Sequence, residues 1–141
     1  MKRLFALAAV LCAGIALAGD NASSAAQGYT VEPVTPTSAV TVGSAGKLGV
    51  VIKPRAPTWH VHPQAPLKVR FSAPAGLKVE RSELSRKDAV DPKADAPRFE
   101  TAFVATAPGA REVQASVDFF ICSDTACVKQ VKSVLIPVDV K

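Results

Sequence analysis

Cys122 and Cys127 are separated by Ser123-Asp124-Thr125-Ala126, a spacing that lets them close a disulfide across a tight turn. The third cysteine, Cys12, lies in a leader-like N-terminus. Lys2 and Arg3 precede an apolar run from Leu4 to Leu17, and Ala16-Leu17-Ala18 supplies small residues where a signal peptidase needs them. The run is too short to span a bilayer comfortably and suits a signal peptide. A signal peptide over 1–18, cleaved near Ala18, is therefore expected, with delivery to a bacterial periplasm or beyond. The mature chain then holds two cysteines in an oxidising compartment, where they pair.

That pair is either a structural staple or a redox centre. A loop of six residues gains only about 2 kcal/mol by chain entropy. A staple meant for stability joins distant strands more usefully. Strained or exposed bridges are also the easily reduced ones. If the pair is redox-active, Cys122 and Cys127 are its catalytic residues, with Asp118, Phe120, Asp124, Lys129, Trp59 and His60 as modulators. Lys129 favours a thiolate, whereas Asp118 and Asp124 oppose it.

Thr58-Trp59-His60-Val61-His62-Pro63 is the other segment with chemical potential. His60 and His62 share one face of a strand, a weak copper or zinc pattern when cysteines are near. A disulfide removes the thiolates as ligands, so no metal is assigned. The alternative has Trp59 and Val61 packing inward while both histidines face solvent or line a groove. The chain has no serine elbow, paired carboxylates or phosphate-cradling glycine loop. No cofactor is implied.

The elements that must position these residues are strands. The 141 residues carry a formal charge of +5, which falls to +3 once Lys2 and Arg3 leave with the leader. The charges are scattered, which argues against nucleic-acid binding. No second apolar stretch is long enough for membrane insertion after signal cleavage. Residues 19–38, rich in Ala, Ser, Thr and Pro, read as a flexible N-terminal segment, the part to about Gly28 as a tether. From 39 to 141 the pattern is period-two, β-branched and punctuated by Pro and Gly. Strands are predicted at 39–42, 47–53, 58–62, 67–72, 76–81, 98–106, 111–122 and 127–140. Seven to eight short strands in about 100 residues predict an all-β, antiparallel immunoglobulin-like β-sandwich. Ser85 to Pro97 is the one long irregular stretch, at a length where loops are often functional.

Along 111–122, Val113, Ala115, Val117, Phe119 and Ile121 share one face, the predicted core face. Cys122 falls on the other. A turn centred on Asp124-Thr125 sets Cys122 opposite Cys127, Ile121 opposite Val128 and Phe120 opposite Lys129. Directly opposed residues have Cα atoms about 4.5 or 5.5 Å apart, within disulfide reach. The same register puts Gln130 and Lys132 on the core face, which predicts a bulge or an edge position soon after Cys127.

Taken together, these features resemble the N-terminal periplasmic domain of the thiol:disulfide interchange protein DsbD. The resemblance spans about residues 40–140. It rests on Trp59-His60-Val61-His62-Pro63, on Pro74-Ala75-Gly76 followed by the charged 85–97 stretch, on Phe119-Phe120-Ile121-Cys122 with Cys127, and on the valine-rich segment Val134 to Val140. It implies that one cysteine attacks a substrate disulfide and the other resolves it. It also implies that the loop near 86–97 caps the pair. The partners would be periplasmic thiol or disulfide proteins and a membrane electron donor, supplied in trans. The competing expectation is a non-catalytic periplasmic protein-interaction module with a structural disulfide. Oligomeric state is open.

Overall fold

The computed structural model describes residues 20–55 and 57–141. The expected signal peptide, its cleavage near Ala18 and Cys12 lie outside the described residues. Among the described residues, a short helix α1 (Asp20–Gln27) leads into nine strands: β1 (Tyr29–Val34), β2 (Ala45–Pro54), β3 (His60–Val61), β4 (Lys68–Ser72), β5 (Leu77–Val79), β6 (Glu83–Ser85), β7 (Arg98–Ala105), β8 (Gly109–Cys122) and β9 (Cys127–Val140). They form two antiparallel sheets, one ordered β1-β2-β7-β5, the other built on β8. β8 pairs with β9 along one edge; along the other it pairs with β4, and with β3 near its end, while β6 lies outside β4. This is the expected immunoglobulin-like sandwich.

Alternation along β8 builds the core. Val113, Ala115, Val117, Phe119 and Ile121 are all fully buried, facing Leu48, Ile52, Phe99 and Phe103 of the opposite sheet. Each large apolar side chain removed from water contributes about 1.5–3 kcal/mol, so this interdigitated layer dominates the stability. Gly49 lies where the β7 backbone leaves no room for a side chain. A Cβ there would stand 1.9 Å from the Phe99 carbonyl oxygen.

The N-terminal segment differs from expectation. Part of the stretch read as flexible, 19–38, is sheet. Tyr29 to Val34 pairs residue for residue with Pro54 to Gly49. Tyr29 is buried, and its ring meets Phe119 edge-on at 4.8 Å. Pro33 is tolerated because β1 is a sheet edge, where a missing N–H costs no ladder bond. Conversely, 39–42 forms only an isolated bridge, Val40 to Val140.

β8 and β9 pair without interruption from Cys122 opposite Cys127 to Gly109 opposite Val140. There is no bulge. The edge position resolves the polar residues on the inner face: Lys132 is exposed at the rim. Gln130 accepts a hydrogen bond from the Tyr29 hydroxyl at 3.0 Å.

Candidate functional site

The disulfide between Cys122 and Cys127 is formed, with Cα atoms 4.0 Å apart. The Asp124-Thr125 turn predicted between them is present. Ser123 N–H donates to the Ala126 carbonyl at 2.8 Å, and Ser123 Oγ accepts from the Thr125 and Ala126 amides. The bridge therefore clamps the turn end of a continuous hairpin.

Its two ends differ in exposure. Cys122 lies between β3 and β9 and is 2% exposed, while Cys127 is exposed. Cys122 thus belongs to the outer face, as alternation requires, yet it is covered.

His62 is the histidine beside the bridge. A ring nitrogen of His62 and the two sulfurs lie within 4.8 Å of one another. His60 is directly opposite Cys122 in the ladder, but it is exposed and lines a groove with Pro63, Arg86, Lys93 and Asp95. The two histidines singled out by the sequence are thus split between two environments. Trp59 and Val61 pack inward as expected, Val61 buried and Trp59 half-buried against the core. The Trp59 ring lies on Gly28, where a Cβ would approach it to 2.5 Å.

The orientation of His62 is fixed by backbone. Its Nδ1 accepts hydrogen bonds from the Gln64 amide at 3.1 Å and the Ala65 amide at 2.8 Å. With that lone pair engaged, the neutral ring carries its proton on Nε2 and acts there as a donor. A metal ligand needs the opposite, a free lone pair. The disulfide also occupies both sulfurs. His62, Cys122 and Cys127 are grouped like a ligand set, but in this bonding state they do not fit a metal ion.

Arg86 holds the same loop from the other side, donating to the carbonyl oxygens of His62 and Ala65. Desolvation by burial lowers its pKa. Asp88 anchors the start of the 85–97 stretch, accepting from Arg81 at 2.9 Å, the Ser85 amide at 2.8 Å and the Ser85 hydroxyl at 2.9 Å. These bonds, that of Arg81 first, hold its carboxyl well below the usual carboxylate range. The residues of this stretch that line a groove face His60 to Gln64, and neither cysteine lines that groove.

The remaining sequence-selected residues are dispersed. Asp118 is paired with Arg70 at 3.1 Å, four residues before Cys122. Phe120 is half-buried opposite the exposed Lys129, and Asp124 is exposed in the turn. His62 and Arg86 were not picked as partners of the bridge. The available signal was the Pro63-Gln64-Ala65-Pro66 segment, a turn whose free amides a preceding histidine can accept from.

No protein-family model matches the chain, and no curated protein matches it. Among solved structures it is similar to a conjugative transposon lipoprotein from Bacteroides eggerthii, at 12% identity and TM-score 0.41, covering 79% of this chain and 96% of the other. A conjugate transposon protein (27–141) from Bacteroides vulgatus matches at 12% identity and TM-score 0.42, covering 79% and 83%. AggA, the major subunit of aggregative adherence fimbriae type I from Escherichia coli, matches at 10% identity and TM-score 0.39, covering 80% and 94%. At such identities and scores the likeness assigns no activity. The resemblance to the DsbD N-terminal domain is corrected by these findings: it has no sequence match behind it, and the three structures are not DsbD domains.

Proposed function

We propose that this chain is a non-catalytic, extracytoplasmic protein-interaction module whose Cys122–Cys127 bridge is structural. One observation carries the reading: the Cys122 side of the bridge is buried within an unbroken ladder. A partner thiolate can approach only the exposed Cys127 sulfur. The thiolate expelled would be Cys122, in a desolvated position that makes it a poor leaving group. The location rests on the leader expected over 1–18. Among the described residues no helix is long and apolar enough to cross a membrane.

A second reading, thiol-disulfide exchange with periplasmic thiol proteins and a membrane electron donor, is favoured by the position of His62 beside both sulfurs. The test is the reduction potential of the bridge, measured by equilibration with dithiothreitol buffers. A potential below about −300 mV is expected for a structural bridge. A value between about −180 and −270 mV would overturn the structural reading in favour of exchange.

A further inference from the structure

β9 has β8 on one side along its whole length. Among the described residues, none pairs with its other side except Val40 at its C-terminal end; α1 and β1 lie against β9 without pairing with it. Because Ser123 and Ala126 form a hydrogen-bonded pair, Cys122 and Cys127 form a non-hydrogen-bonded one, and the pattern alternates from there. The backbone groups of odd-numbered β9 residues therefore point away from β8. Lys141 shows the same parity, donating to the Val40 carbonyl and accepting from the Val42 amide.

Among the described residues, the outward N–H and C=O groups of Val131, Ser133 and Leu135 consequently have no backbone partner, which leaves an open edge. Their side chains share the outer face. Val131 is 62% exposed and Leu135 is 53% exposed, two large apolar groups placed symmetrically about Ser133. An exposed edge of this kind is a template for another strand. Pro137, which has no N–H to offer, and the Val40 bridge mark where it ends.

We propose that this edge pairs antiparallel with β9 of a second copy, about a two-fold axis through Ser133. The placement of the two exposed apolar side chains, each two residues from Ser133, selects the partner. In this register Ser133 faces Ser133 of the second copy, and Val131 faces Leu135 of the second copy, once on each side of the axis. One isologous contact thus makes the Val131–Leu135 pair twice and covers both exposed apolar side chains of each copy. The register also sets Lys132 diagonal to its own copy, a like-charge contact that salt screens, so association strengthens with ionic strength. The inference deepens the interaction-module reading. Its test is independent of the bridge's potential, so either can fail alone.

The experiment is sedimentation velocity on the purified protein over a concentration series, with circular dichroism to confirm folding. A reversible dimer is expected. Ser133→Pro removes the central N–H on the free side of the strand and should weaken association about tenfold or more, because two symmetry-related bonds are lost. Ser133→Ala should leave it unchanged. Ser133→Cys should form a covalent dimer on oxidation, since hydrogen-bonded opposed residues sit about 5.5 Å apart. Val131→Cys should not, because the two copies of residue 131 stand roughly 14–15 Å apart in this register. A monomer at every soluble concentration overturns the proposal. So does a dimer indifferent to Ser133→Pro, or one that cross-links equally well through residue 131.

Discussion

Removing the bridge with Cys122→Ala/Cys127→Ala tests the structural role directly. The closed loop runs only from residue 122 to 127, so its release returns about 2 kcal/mol of chain entropy to the unfolded state. On the folded side the register stays held by 14 consecutive pairs and by the Ser123 turn, and the loss of the buried Cys122 sulfur adds about 1 kcal/mol. A domain of roughly 110 residues melts with an entropy near 0.23 kcal/mol/K, so the combined loss of about 3 kcal/mol corresponds to a Tm about 13 °C lower. Differential scanning calorimetry, with urea titration as a second measure, reads both numbers. The single variants, measured under reducing conditions, separate the two ends. Cys122→Ala deletes a buried sulfur and should cost about 1 kcal/mol more than Cys127→Ala, whose side chain is exposed. A double variant within about 0.5 kcal/mol of the parent would refute the chain-entropy argument. Equal single variants would refute the claim that Cys122 is the buried end.

Other expectations follow from the same geometry. Gly28→Ala drives a methyl group into the Trp59 ring and should destabilise by about 1–3 kcal/mol; as Trp59 is the sole tryptophan, its fluorescence reports the displacement. Tyr29→Phe keeps the edge-on contact with Phe119 but leaves Gln130 without its donor, a cost of about 1 kcal/mol in urea unfolding. Asp88 has a folded pKa below its unfolded value near 4, so its stabilisation is full above that pH and is lost as pH falls towards the folded value. Asp88→Asn should therefore be less stable than the parent at neutral pH and show a shallower acid decline below about pH 4, read by thermal melts across pH.

What the sequence made legible was periodic or local. The five alternating residues from Val113 to Ile121 predicted the core face, and all five are fully buried. The two-residue turn at Asp124-Thr125 predicted the register, and Phe120 does lie opposite Lys129. β1 was illegible because Tyr29-Thr-Val-Glu-Pro-Val sits in a stretch whose composition signals a linker. Its strand character comes from a non-local partner, the 49–54 segment of β2. β6, three residues long, is too short to show a period.

The site shows the same division at higher resolution. Alternation placed Cys122 on the outer face, and from that alone exposure followed. Cover came instead from a break in another strand. β3 ends at Val61, and pairing with β8 resumes only at Lys68 opposite Asp118, four residues out of step with the register of His60 opposite Cys122. The surplus residues must leave the sheet. They turn back over it because His62 Nδ1 accepts two of their amides and Arg86 takes two of their carbonyls. One histidine of the His-x-His pair is thereby drawn to the bridge and the other is left in solvent. A single-strand pattern cannot make that distinction, since it depends on a register mismatch between segments over fifty residues apart. The burial of Cys122, on which the choice between staple and redox centre turns, is therefore a property of the β3–β4 interruption rather than of the cysteine motif itself.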